Sequence, residues 1–99
     1  MAKILIIDDD PNICKVLSDI LRLKGYICVI AHTAREAIEE IEKNNVDIAV
    51  IDIKLPDNSG IEVLKKIKKI SPKTEAIILT AYASLPTAIK ALDLSLIHI

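Results

Sequence analysis

The chain has 99 residues, a formal net charge of −1 and 52% hydrophobic side chains. That size gives one domain with one core, and the near-balanced charge argues against the concentrated basic face of a direct nucleic-acid binder. No apolar run reaches the roughly 18 residues of a membrane span, and the start lacks the cationic lead and cleavage site of a signal peptide, so a cytoplasmic location is expected.

Residues 3–7, Lys-Ile-Leu-Ile-Ile, form an apolar run that predicts a first strand, and it runs straight into Asp8, Asp9 and Asp10. A helix should follow from Pro11 to about Leu23. Its expected buried face is Ile13, Val16, Leu17, Ile20 and Leu21, spaced i, i+3, i+4, i+7 and i+8. Pro11 suits the first helical turn and Gly25 the stop. A second strand is expected over 26–30. Thr33 and Glu36 then have the spacing of a capping box, in which Glu36 would bond back to the Thr33 amide. The helix they open should bury Ala34, Ala37, Ile38 and Ile41 and end near Asn44 and Asn45. Residues 46–52, Val-Asp-Ile-Ala-Val-Ile-Asp, predict a strand buried on both faces with Asp52 at its far end. The loop after it is rich in turn residues. A third helix should begin at Ser59 or Gly60 and bury Ile61, Val63, Leu64, Ile67 and Ile70. A fourth strand over 75–80 ends in Thr80, and a last helix should start near Ser84. Cys14 and Cys28 lie too far apart for a CxxC pair, and no neighbouring His pair completes a zinc set. Both read as small hydrophobes. The lysines of helix three read as a solvated face, and His32 and His98 have no expected place near Asp52.

The alternation of strand and helix predicts a three-layer α/β fold: a parallel sheet with helices on both faces and right-handed crossovers. Ligands of such sheets collect at the carboxyl ends of the strands. If strands one, three and four are neighbours, Asp8 and Asp9 crowd Asp52 at that rim, with the Thr80 hydroxyl beside them. Two carboxylates about 4 Å apart repel by on the order of 4 kcal/mol at an effective dielectric of 20. A hard divalent cation offsets this, and Mg²⁺ accepts two or three carboxylates plus water and a phosphate oxygen. Such a site is equipped to receive a phosphoryl group. Each part also has a plainer reading: the aspartates 8–10 as favourable charge at a helix start, Asp52 as a turn initiator, Thr80 as a cap hydroxyl.

Three stretches together, Ile-Leu-Ile-Ile-Asp-Asp-Asp-Pro-Asn, Val-Ile-Asp-Ile-Lys-Leu-Pro-Asp-Asn-Ser-Gly and Ile-Ile-Leu-Thr-Ala-Tyr-Ala-Ser, resemble a response-regulator receiver domain of a two-component system. The resemblance covers Ala2 to about Asp93. It implies a flavodoxin-like sheet, of which this chain would carry the order 2-1-3-4. It also implies that Asp52 accepts phosphate from the phosphohistidine of a sensor histidine kinase or phosphotransfer protein. Asp9 and Asp52 would ligate Mg²⁺, Asp8 would assist through water, and the Lys54 carbonyl would complete the set. Thr80 would turn toward the phosphoryl group and move its loop and helix four, while Lys54 and Tyr82 would tune the lifetime of the acyl phosphate. An output domain, of the transcriptional-activator kind, would lie elsewhere in the protein.

The departure from the family pattern is at the end. Receivers continue into a fifth strand with a Lys-Pro and a fifth helix, whereas no lysine here follows Lys90 and the aromatic residue of strand five is missing. Residues 94–99, Leu-Ser-Leu-Ile-His-Ile, match the translation of a transposon end used in sequencing libraries. The expectation is a receiver over 1–93 followed by a cloning or sequencing scar, with strand four left as an exposed edge and the 99-residue chain poorly folded or associating. Two other functions compete. Asp8 and Asp10 could be the nucleophile and acid of a haloacid-dehalogenase-type phosphatase, although Pro11-Asn12 does not fit that motif. The missing lysine would also suit a receiver-like binding module that is never phosphorylated.

Overall fold

A computed structural model of the chain describes residues 2–52 and 55–79, and within these it shows four strands and three helices. They are β1 (Lys3–Ile7), α1 (Pro11–Leu23), β2 (Ile27–Ala31), α2 (Ala34–Lys43), β3 (Ile48–Asp52), α3 (Gly60–Ile70) and β4 (Glu75–Leu79). The strands form one parallel sheet in the order β2-β1-β3-β4. Register places Ile7 beside Ala31 and Ile51, and Asp52 beside Leu79, so the ends of β1 and β3 share one rim. The expected helix four, Thr80 and the segment 94–99 lie outside the described residues.

Alternation along the strands makes the two cores. Leu5, Ile7, Ala49 and Ile51 point to one face, where they meet Ala34, Ala37 and Ile41 of α2 and Val63 and Ile67 of α3. Ile4, Ile6, Ile48 and Val50 point to the other, against Cys14, Leu17 and Leu21 of α1. Both strand faces are thus covered, which is why β1 and β3 read as unbroken apolar runs.

Helix ends follow their local chemistry. Asp10, Thr33 and Ser59 are the N-caps of α1, α2 and α3. Helix α1 stops in a Schellman turn: the Gly25 amide donates to the Arg22 carbonyl and the Tyr26 amide to that of Leu21. Gly25 has φ +97°, the left-handed conformation that a glycine adopts without strain.

Four expectations need correction. Helix α1 buries Cys14, Leu17, Ser18 and Leu21, while Ile13 and Val16 are 41% and 43% exposed. The inward stripe is centred one position away from the one hydrophobicity alone suggests, because a cysteine and a serine can lie closely on the sheet. Ser18 is accommodated by donating its hydroxyl to the Lys15 carbonyl. In α3, Val63 and Ile67 are fully buried, but Ile61 and Ile70 are each 45% exposed, one on either flank of the packed stripe. Strand β2 runs one residue later than expected. The Thr33 hydroxyl does accept the Glu36 amide, yet the Glu36 carboxylate accepts from the His32 amide instead of the Thr33 amide.

Candidate functional site

Strand β1 ends at Ile7 and delivers Asp8 and Asp9; β3, its neighbour, ends in Asp52. One carboxylate oxygen from each of Asp8, Asp9 and Asp52 lies within 4.8 Å of the other two. Asp8 is buried, Asp52 half-buried and Asp9 exposed, so the cluster opens from the protein interior to solvent. Lys54 and Thr80, the other two residues expected here, are outside the described residues.

Crowding shows in the acidity of Asp8. Burial pushes its carboxyl up to about 6, and the negative charges of Asp52 and Asp9 push the same way. The Asp10 amide donates to Asp8 Oδ1 at 2.9 Å and opposes that rise. A divalent cation between the three carboxylates would reverse the effect of both neighbours. Three oxygen donors at this spacing, with solvent on one side for water ligands, fit Mg²⁺.

Asp10 faces away from this role. Its Oδ1 accepts the amides of Asn12 at 2.9 Å and Ile13 at 3.4 Å, which caps α1. A carboxylate engaged in this way is poorly placed as a general acid, and the phosphatase reading of Asp8 and Asp10 loses its second residue.

Two residues that sequence reasoning set aside hold the surroundings of the cluster. His32 Nδ1 donates to the Asp8 carbonyl at 3.0 Å, since a carbonyl only accepts, and the Cys14 thiol donates to the same oxygen at 3.4 Å. The Asp8 amide in turn donates to the Ala31 carbonyl at 3.0 Å. On the other side, Asp57 in the loop after Asp52 accepts the Ala34 amide at 2.8 Å through Oδ1 and the Arg35 amide at 3.1 Å through Oδ2. These amide bonds hold the Asp57 carboxyl below the usual carboxylate range. No local signal marks either residue, because their partners lie 24 and 22–23 positions away.

Burial pushes the Cys14 thiol up to about 11, and the negative charge of Asp8 adds to it; burial also raises Cys28, against the pull of Arg22. Both are free thiols, protonated at neutral pH and packed as small hydrophobes. None of the described helices is long and apolar enough to cross a membrane.

Comparison with known proteins adds the family. The model of the response regulator receiver domain matches residues 4–98. The transcriptional regulatory protein ZraR of Escherichia coli is 37% identical over 89 residues, covering 90% of this chain and 20% of ZraR. The chain therefore spans about a fifth of that relative's length. A CheY-like receiver domain protein from Methanospirillum hungatei is 41% identical with a TM-score of 0.81, over 94% of this chain and 74% of that one. The response regulator TrrA of Thermotoga maritima, solved with Mg²⁺ and BeF, is 36% identical with a TM-score of 0.78, over 96% and 78% of the two chains. TrrA has also been solved in complex with the histidine kinase ThkA. A family match over nearly all of the sequence, on a sheet of this order with this acidic rim, leads to one conclusion: the chain belongs to the response regulator receiver domains of two-component signalling systems.

Proposed function

We propose that Asp52 is the phosphoacceptor of a signalling switch and that Asp8, Asp9 and Asp52 hold a Mg²⁺ ion for the transfer. The observation that carries this is the convergence of three carboxylates at the rim where β1 and β3 end. Asp52 is the member best placed as nucleophile, since it closes the strand between β1 and β4 and is only half-buried. Asp8 is buried and its Oδ1 already accepts the Asp10 amide, so it is less accessible to an incoming phosphoryl group.

In the proposed reaction an Asp52 carboxylate oxygen attacks the phosphorus of a phosphohistidine. The new P–O bond forms in line with the breaking P–N bond, and the imidazole leaves with the electron pair and takes up a proton. A bound Mg²⁺ would supply charge neutralisation for the phosphoryl oxygens. Asp8 and Asp9 orient that charge, and hydrolysis of the aspartyl phosphate by water resets Asp52. Thr80 is assigned the hydroxyl that meets the phosphoryl group and Lys54 the backbone carbonyl that completes the metal set, both from the family pattern. The partner is a sensor histidine kinase, in line with the TrrA–ThkA complex, and the output lies in a longer protein of the ZraR kind.

The test is phosphorylation of the full chain by acetyl phosphate, with the labelled residue mapped by tandem mass spectrometry. The expected result is a Mg²⁺-dependent acyl phosphate at Asp52 that Asp52→Asn abolishes. Labelling at Asp8, with turnover of a small phosphate ester, would instead establish the phosphatase reading. Absence of any label with the fold intact would leave the binding-module reading in place.

A further inference from the structure

The loop after β1, which carries Asp8 and Asp9, and the loop that follows Asp52 at the end of β3 are both fastened to the same short stretch, residues 31–35, where β2 passes into α2. The loop after β1 is held there at both backbone groups of Asp8: its amide donates to the Ala31 carbonyl and its carbonyl accepts from His32 Nδ1. The loop after β3 is held by Asp57, whose two carboxylate oxygens take the amides of Ala34 and Arg35. Those amides are among the four that the start of α2 leaves without an intrahelical partner. The Thr33 hydroxyl takes that of Glu36, so the Asp57 carboxylate completes the cap from another part of the chain. A charged acceptor at a helix N-terminus is favoured by both hydrogen bonding and the helix dipole. Within the same loop Leu55 packs against the α2–α3 side of the core and Ser59 caps α3, so Asp57 is the loop's only described polar tie to α2.

We infer that Asp57 is a positioning residue: by clamping the β3–α3 loop to the start of α2, it sets the gap between the Asp8–Asp9 pair and Asp52 across which the cation is held. The inference rests on the proposed cation site. Asp57 touches neither metal nor phosphoryl group in this account. It acts through the turn, whose other hold is on the Asp8 backbone.

The experiment compares Asp57→Ala, Asp57→Asn and Thr33→Ala in the full chain, by Mg²⁺ affinity from calorimetry and by amide hydrogen exchange. Thr33→Ala is the control, because it removes a cap bond from the same helix and leaves the loop tie intact. Asp57→Ala should weaken Mg²⁺ binding about tenfold, in the range seen when groups behind metal ligands are removed. It should also speed exchange at the Ala34, Arg35 and Asp10 amides. Asp57→Asn, which keeps an acceptor oxygen, should recover part of the affinity, and Thr33→Ala should lower the melting temperature with Mg²⁺ affinity unchanged. Equal affinity in Asp57→Ala and wild type would overturn the inference, as would equal weakening by Thr33→Ala. If Asp57→Ala does not fold, Asp57→Asn carries the same comparison. A wild-type chain that binds no Mg²⁺ would remove the cation reading by itself. Exchange at the Asp10 amide would then judge the clamp alone, and unchanged protection there in the Asp57 variant would overturn it.

Discussion

The two rims of the sheet use the same residue types to opposite ends. At the amino rim Asp47 Oδ2 accepts the Lys3 amide at 2.7 Å, and Lys3 Nζ donates to Asn44 Oδ1 at 3.3 Å. Thr74, fully buried, donates its hydroxyl to the Val46 carbonyl at 2.8 Å and lies 2.6 Å from the Ser71 hydroxyl. Every one of these groups answers a neighbour's need. At the carboxyl rim three carboxylates face one another, and Asp8 is pushed toward neutrality by burial and by two like charges. One rim is built from satisfied pairs; the other gathers like charges, which is the arrangement the proposed cation would relieve. The contrast is what makes the carboxyl rim the candidate site, since gathered like charges and a shifted carboxyl concentrate at functional positions.

The sharpest way to break the contrast is Asp52→Asn, which should eliminate Mg²⁺-dependent labelling altogether while leaving the thermal transition in place. Next in size, Thr74→Val removes a buried hydroxyl and leaves the Val46 carbonyl unsatisfied. It should cost about 1–3 kcal/mol in denaturant unfolding and leave Mg²⁺ affinity unchanged. Asp8→Asn should act in reverse: stability at pH 7 without metal rises by about 1–2 kcal/mol, allowing for solvent screening of the open side, and Mg²⁺ affinity falls. The accompanying pH dependence has a fixed sign. The Asp8 carboxyl is raised in the folded state, so its contribution to stability is full below about pH 4 and is lost as pH rises through about 6. Metal-free wild type should therefore lose stability over that window, Asp8→Asn should flatten the slope, and Mg²⁺ should stabilise more at pH 7 than at pH 5. The smallest effect belongs to Asp47→Asn, where an acceptor oxygen remains for the Lys3 amide. A change under about 1 kcal/mol is expected, with no effect on metal.

Much of this architecture is legible in the sequence, for definable reasons. Strands β1 and β3 announce themselves because both faces are covered, so their apolar runs are unbroken. Asp8, Asp9 and Asp52 are legible because each follows such a run directly, and parallel pairing brings run ends to one rim. Helix faces are less so. In α1 the sequence offers two stripes, and Ile13 and Val16 outrank Cys14 and Ser18 in hydrophobicity while the latter pair is the one that packs. In α3 the apolar stripe is broader than the contact it makes, which leaves Ile61 and Ile70 at its margins. Asp57 and His32 were not legible at all. Asp57 reads as an ordinary turn residue and His32 as an isolated side chain; the start of α2 gives Asp57 its partners, and the pairing of β1 with β2 brings His32 to the Asp8 carbonyl.

The carboxylates at the ends of β1 and β3 are proposed to bind one divalent ion together. Mn²⁺ can report this directly as a paramagnetic stand-in for Mg²⁺ in a nitrogen-15 amide spectrum of the full chain. One saturable site should broaden the Asp8, Asp9, Asp10 and Asp52 resonances first, reverse with excess Mg²⁺ and be weakened by Asp52→Asn. Broadening centred elsewhere, or none at these four amides at saturating metal, would contradict it.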